Sequence, residues 1–210
     1  MLRLQDAGAH NINFVSPSHM VFQMAEAIEV ARGKGLAIPV VYNSNGYDSV
    51  ESLRQIRGLV DIYLPDIKYM DNGLGKRYSA VSDYADIVPG ALREMLDQVG
   101  HLTMNGEGIA VRGLLVRHLV LPGCMANSRR CLAILADLSL DTYISLMSQY
   151  SPQHRACEYP GINRTVTEEE YNQVMDFALQ LGLENVYIQE IESQEHYLPD
   201  FALESPFKSA

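Results

Sequence analysis

The chain contains a charged pair, Asp66 and Lys68, directly after four apolar residues at 62–65. Side chains alternate between the two faces of a strand, so two residues that are two positions apart point to the same face. Removing an isolated carboxylate or ammonium from water is very costly, so charges at the end of a buried strand must be paired or used. The pair is therefore either a structural ion pair or part of a functional site.

Other strand-like runs of the sequence also end in polar side chains. These are Ser16, Ser18, Asn43, Asn45, Arg117, Gln149 and Tyr150. In barrels of parallel strands, active sites lie at the carboxyl ends of the strands. The recurrence of polar side chains at strand ends predicts one site built from several of these ends.

Composition limits the classes of protein to which the chain can belong. It has 210 residues, 47% of them hydrophobic, and a formal net charge of −10. The basic residues are scattered, which argues against a nucleic-acid surface. No apolar run is long enough for a membrane span, and the amino terminus has no signal-peptide pattern. We expect a cytoplasmic protein whose residues 1–210 form a single domain.

The three cysteines do not form a recognisable metal or disulfide pattern. Cys124, Cys131 and Cys157 are odd in number and widely spaced. Their spacing matches no standard zinc or iron–sulfur motif. We interpret them as reduced thiols and predict no metal ligands in this chain.

Periodicity predicts six strands that alternate with helices. The strands are expected at 11–16, 38–43, 60–69, 111–121, 142–148 and 185–190. Helices are expected to begin near Ser18, Ser49, Pro89, Ser128 and Thr167, with a loop at 71–75 and a turn or hairpin at 101–108. Short apolar strands in this alternation indicate a parallel α/β sheet. No Gly-x-Gly-x-x-Gly follows a strand, which favours a barrel or partial barrel over a doubly wound sheet.

Five segments carry a resemblance to a known family. They are GAHNINFVSPSH (8–19), IPVVYNSNGY (38–47), VDIYLPDIKY (60–69), VRHLVLPG (116–123) and SLMSQYSP (145–152). With them the chain resembles radical S-adenosylmethionine proteins related to the pyruvate formate-lyase activating enzyme. The resemblance implies a partial (βα)6 TIM-like barrel of mostly parallel strands. It also implies a [4Fe-4S] cluster that cleaves S-adenosylmethionine to a 5′-deoxyadenosyl radical, and a glycyl-radical protein as partner.

The chain departs from this family at the cluster. The Cys-x-x-x-Cys-x-x-Cys segment that supplies three thiolate ligands is absent, and nothing in the sequence replaces it. We interpret the chain as a carboxyl-terminal part that lacks the first βα unit and is inactive alone. The strand at 11–16 would then be a sheet edge, and such edges pair readily, so we expect a homodimer through this strand.

The resemblance also implies roles for six residues in S-adenosylmethionine binding. Lys68 and Arg117 would hold the carboxylate of its methionine part, and Asp66 would face its ammonium group or a cation. Asn43 would lie near the ribose. Ser16 and Ser18 stand where the family has Gly-Gly-Glu, so the negative charge of that glutamate is missing. A purely structural role stays open for all six residues.

Two other functions remain open from the sequence. Lys68 could form a Schiff base in a barrel enzyme, although the neighbouring carboxylate of Asp66 favours its charged form. Alternatively, the barrel could bind a nucleotide or a partner without chemistry. His118 is expected to be a core histidine, because it points away from Arg117. Tyr150 and His154 could line the site or a partner surface.

Overall fold

A seven-stranded, mostly parallel sheet organises the protein in the computed structural model, which describes residues 1–189. The strands are β1 (Ile12–Val15), β2 (Val40–Ser44), β3 (Ile62–Pro65), β4 (Thr103–Met104), β5 (Ala110–Leu119), β6 (Tyr143–Met147) and β7 (Val186–Ile188). Their order is β1-β2-β3-β5-β6-β7, and β4 pairs antiparallel with β5. Within residues 1–189 the sheet does not close on itself. This architecture confirms the α/β partial barrel.

Within residues 1–189, seven α-helices connect and cover the strands. They are α1 (Leu2–Asp6), α2 (Val21–Gly33), α3 (Val50–Gln55), α4 (Asn72–Ser79), α5 (Tyr84–Val99), α6 (Met125–Leu138) and α7 (Glu168–Gln180). Two 3-10 helices span Pro17–Met20 and His154–Glu158. In the part of the chain that the structure describes, no helix has the length and apolarity that a membrane span requires.

The two faces of the sheet have different surroundings. Alternate strand residues such as Tyr42, Tyr63 and Val116 are buried with the helices in one core cluster. The residues between them, such as Asn43 and Arg117, point to the opposite face. That face stays partly accessible, and it carries the polar strand ends.

Three local predictions were wrong. Residues 71–75 were expected to be a loop, but α4 begins there, because the Asp71 carboxylate accepts hydrogen bonds from Gly73 N and Leu74 N at 2.8 and 3.3 Å. Pro89 lies inside α5, which begins at the buried Tyr84. Ser18 does not cap α2, because its hydroxyl donates to Asp48 instead. The Ser18 contact joins segments that are far apart in the chain, so the local pattern does not show it.

Other local predictions are confirmed. Thr167 and Glu170 form the expected capping box of α7, and Ser49 caps α3 by accepting from Ser52 N. The hairpin at 101–108 is also present: the Asn105 side chain accepts from the backbone at Glu107 and Ile109. These motifs depend on short-range hydrogen bonds, which the sequence specifies directly.

His118 is a core histidine, as predicted. It is fully buried, with Nδ1 2.7 Å from the Ile67 carbonyl oxygen and Nε2 3.0 Å from Ser128 Oγ. Desolvation in this setting penalises the imidazolium and lowers the pKa of His118 from 6.5 to about 4. The folded protein therefore holds this ring neutral at pH values where the unfolded chain protonates it.

Because the folded-state pKa of His118 is depressed, acid should destabilise the protein. Between pH 7 and pH 5 the unfolded chain binds the extra proton, and we expect a loss of about 2 kcal/mol in unfolding free energy. Urea denaturation across this range measures it. His118→Gln should flatten this dependence even if the variant is less stable overall. His19→Gln, which changes an exposed histidine, should leave the slope as it is; an unchanged slope in His118→Gln would contradict the assignment.

Candidate functional site

The Asp66 carboxylate lies between two cations at the carboxyl ends of β3 and β5. Its Oδ2 is 2.6 Å from Lys68 Nζ, and its Oδ1 is 2.7 Å from Arg117 Nε. Arg117 also donates from Nη2 to Asn43 Oδ1 at 2.8 Å. Four of the six predicted site residues thus form one hydrogen-bonded group, which we call the ion cluster: Asn43, Asp66, Lys68 and Arg117.

Strand register explains why these residues meet. Asp66 forms a parallel bridge with Arg117, and Asn43 is paired with Leu64, two residues before Asp66. With a side-chain period of two, all of them face the same side of the sheet. The sequence spacing of Asp66 and Lys68 placed them together, but only the pairing of strands brings in Arg117 and Asn43.

The backbone that carries Asp66 and Lys68 is fixed by the helix layer. The buried Tyr84 hydroxyl accepts from Lys68 N at 3.0 Å and lies 2.7 Å from the Asn45 carbonyl oxygen, to which it donates. Asn127 donates to the Lys68 carbonyl at 2.9 Å and accepts from Met70 N at 2.8 Å. These contacts hold the segment in one conformation, so the charges are oriented before any ligand arrives.

The charges of the ion cluster suit an anionic group. Two cations share one carboxylate, so the cluster keeps a single positive charge. The Lys68 and Arg117 side chains are 35% and 28% exposed, and each retains N–H donors that no acceptor within residues 1–189 uses. A ligand carboxylate would fit this donor set. Both oxygens of Asp66 already accept from cations, so its evident role is to orient them.

Ser16 and Ser18 do not join the ion cluster. Ser16 is exposed, and its contact with the cluster within residues 1–189 is a backbone hydrogen bond from Ser16 N to the Asn43 carbonyl at 2.7 Å. Ser18 donates to the buried Asp48 carboxylate at 2.6 Å, in a network that includes Tyr42 and Ser44. Their predicted part in ligand binding stays a prediction. Their observed contacts are structural.

Two residues that the sequence did not indicate lie in the same cross-strand row as Asp66 and Arg117. Ser145 on β6 is paired with Arg117, and Tyr187 on β7 is paired with Ser145. Both therefore face the same side as the ion cluster. The alternation within β6 was readable from the sequence, but its register against β5 was not.

The cysteines do not fit an iron–sulfur cluster. Cys131 is fully buried in α6, Cys124 is partly buried, and Cys157 is exposed. In residues 1–189, no three His, Cys, Asp or Glu side chains are grouped so that they could hold a metal ion. A [4Fe-4S] cluster needs a set of closely grouped thiolates. We therefore derive no chemistry through such a cluster from these residues.

The contacts of Lys68 also bear on a Schiff-base mechanism. Its Nζ donates to the Asp66 carboxylate at 2.6 Å. A Schiff base requires the neutral amine as nucleophile. The geometry therefore favours Lys68 as a hydrogen-bond donor to an anion.

Comparisons with known proteins identify a relative in sequence and a solved structure of similar fold. No family model matches the chain. An uncharacterised protein of Methanocaldococcus jannaschii is 34% identical over 151 residues, which are 71% of this chain and 40% of that protein. The chain thus spans about two fifths of the length of this curated relative. The fold resembles a solved domain of pyruvate-formate lyase-activating enzyme from Bacteroides vulgatus, with a TM-score of 0.60 at 14% identity, covering 86% of this chain and 98% of that domain.

Gly46 packs against the segment that positions Asp66, so replacing it should disturb the site. Its φ is +79°, and a Cβ there would lie 2.2 Å from the Asp66 carbonyl oxygen. We expect Gly46→Ala to reduce the unfolding free energy by about 3 kcal/mol, combining backbone strain with overpacking. Gly58→Ala is the matched control, because φ is +82° but nothing lies within 4 Å. Gly58→Ala should lower the unfolding free energy by about 1 kcal/mol in urea denaturation; equal losses in the two variants would show that the contact with Asp66 has no effect.

Proposed function

We propose that the chain is part of a radical S-adenosylmethionine protein related to glycyl-radical enzyme activating enzymes, and that its ion cluster binds the methionine carboxylate of S-adenosylmethionine. The observation that carries this proposal is the positively charged, partly accessible group of Asp66, Lys68 and Arg117 at the carboxyl ends of two parallel strands. The likeness in fold to a domain of an activating enzyme supports it.

Each residue of the ion cluster has a role in the proposal. Lys68 and Arg117 donate to the ligand carboxylate, and Asp66 keeps both cations turned toward it. Asn43 accepts from Arg117 and fixes the plane of the guanidinium. Charge-assisted hydrogen bonds from two fixed cations give a carboxylate both affinity and a defined orientation.

Binding of S-adenosylmethionine and its cleavage require different groups. An iron–sulfur cluster supplies the electron that cleaves S-adenosylmethionine in such proteins, and the cysteines of this chain do not fit one. The chain alone should therefore bind the ligand but not cleave it. A cytoplasmic location and a glycyl-radical protein as partner belong to the same proposal, supported by the family resemblance of the segments that contain Asn43, Asp66 and Arg117.

Calorimetric titration of the 210-residue chain with S-adenosylmethionine tests the binding step. Lys68→Met and Arg117→Gln should each weaken binding roughly ten- to a hundredfold, as expected for the loss of one charge-assisted hydrogen bond. Arg112→Gln is the matched control, because Arg112 lies on the same strand but is exposed and donates to the Gln98 carbonyl. It should bind like the unaltered chain.

A ligand analogue identifies which group of the ligand the cluster recognises. Decarboxylated S-adenosylmethionine should bind the unaltered chain weakly, and Arg117→Gln should reduce that binding no further. If both ligands bind equally, the ion cluster does not hold the carboxylate. If the chain binds neither ligand, the proposal fails. Accumulation of 5′-deoxyadenosine with the chain alone under reducing conditions would contradict the division between binding and chemistry.

We also propose that two copies of the chain pair through β1. Among the described strands, β1 pairs only with β2, and its Val15 is 68% exposed. An accessible apolar edge strand offers unpaired backbone groups to a second strand. Sedimentation should therefore detect dimers. Val15→Lys should shift them to monomers, whereas Phe22→Lys, which changes an exposed residue of α2 (59%), should not. A monodisperse monomer of the unaltered chain would refute this pairing.

A further inference from the structure

A cavity lined by aromatic side chains lies beside the helix layer. Its volume is about 250 Å³, and we call it the tyrosine pocket. It is lined by Tyr69, Tyr78, Leu121, Tyr150, Gln153, His154, Arg155, Ala156, Tyr159 and Ile162. These residues come from α4, from the segments that follow β3 and β5, and from the long connection between β6 and α7. None of them belongs to the ion cluster.

The tyrosine pocket and the ion cluster are on different sides of the chain after β3. Lys68 reaches Asp66 on the open face, whereas the next residue, Tyr69, is buried in the core cluster on the helix side. The Tyr69 ring packs edge-on against Tyr84, with the ring centroids 5.4 Å apart. A ligand in the tyrosine pocket would therefore not occupy the proposed carboxylate site.

Two of the four tyrosines are fixed by their hydroxyl groups, and two are not. Tyr69 shares a hydrogen bond with Ser79 at 3.0 Å, and Tyr150 donates to the Ile162 carbonyl at 2.7 Å. Within residues 1–189, the hydroxyls of Tyr78 and Tyr159 have no protein partner, although their rings meet edge-to-face at 5.6 Å. Tyr69 and Tyr150 are thus held in place, whereas Tyr78 and Tyr159 offer hydroxyl groups to a ligand.

One residue that lines the pocket has an uncommon backbone conformation. His154, which lines the pocket, has a φ of +50°, a conformation that non-glycine residues rarely adopt. Such strain is maintained only where surrounding contacts impose it, and it clusters at ligand sites. The strained residue opens the 3-10 helix that forms one wall of the pocket.

The positive charge of Arg77 beside the tyrosine pocket bears on which ligands the pocket could bind. The Arg77 guanidinium lies 5.4 Å from the ring centroid of Tyr78 and 5.7 Å from that of Tyr159. In the described part of the chain no carboxylate pairs with Arg77, while the nearby Arg155 is paired with Glu158 at 3.0 Å. An unpaired cation that is held by two pocket rings favours an anionic ligand over a cationic one.

We propose that the tyrosine pocket binds a small aromatic carboxylate, whose ring packs among the tyrosine rings and whose carboxylate extends past Tyr78 and Tyr159 to pair with Arg77, which lies outside the lining. An apolar cavity of about 150 Å³ already accommodates benzene, so about 250 Å³ holds one substituted ring. Leu121 and Ile162, both largely buried, supply apolar contact, and the free hydroxyls of Tyr78 and Tyr159 offer hydrogen bonds to a ring substituent.

Titration of the full chain with 4-hydroxybenzoate, followed by calorimetry and ligand-observed nuclear magnetic resonance, tests this proposal. We expect saturable binding, and Arg77→Gln should weaken it about tenfold, since one charged contact is lost. The neutral 4-hydroxybenzamide should bind about tenfold more weakly than the acid and should be insensitive to Arg77→Gln. Arg129→Gln is the matched control, because Arg129 stacks in the same way on Phe177, away from the pocket.

A second variant keeps the result independent of folding defects. Ala156→Trp should fill the pocket and abolish binding, while thermal melting shows that the variant still folds. Absence of saturation up to about 10 mM by the unaltered chain would overturn the proposal, as would full binding by Ala156→Trp. Equal binding of acid and amide would overturn the role of Arg77. S-adenosylmethionine binding should be unchanged in Ala156→Trp, so failure of one proposal is distinguishable from failure of the other.

Discussion

The Asp66 carboxylate connects three strands of the sheet. It follows β3, binds Arg117 from β5, and through Arg117 reaches Asn43 on β2. Its other oxygen binds Lys68, which lies on the same segment. Two cations held close together would repel each other without an intervening anion. The electrostatic balance at Asp66 therefore allows a concentrated positive charge to exist at the carboxyl edge of the sheet.

That balance depends on a backbone held from the opposite side. His118 contacts the Ile67 carbonyl, Tyr84 accepts from Lys68 N, and Asn127 bonds to the backbone of Lys68 and Met70. These partners come from β5, α5 and α6, so the packing of the helix layer fixes the geometry of the open face. Because the buried His118 ring is neutral, it adds no positive charge behind Lys68 and Arg117.

A second group of charge-assisted hydrogen bonds surrounds Glu170, in the first turn of α7. Its carboxylate accepts from both terminal nitrogens of Arg164 at 2.8 Å, from Thr167 N and from Gly123 N. The hydrogen bonds from Arg164, followed by those from the backbone, lower the pKa of Glu170 to about 2. Glu170 thus ties the loop after β5 to the start of α7. The connection that forms one wall of the tyrosine pocket ends at this tie.

The sequence by itself determined the strand alternation, the capping box at Thr167, the burial of His118 and the pairing of Asp66 with Lys68. All of these follow from local periodicity or from hydrogen bonds between near neighbours. Only the tertiary structure decided that Arg117 and Asn43 join the pair, that Ser18 bonds to Asp48, and that Tyr78 and Tyr159 meet across a pocket. Such contacts depend on strand register and on loops that join distant segments, and residue spacing along a chain specifies neither.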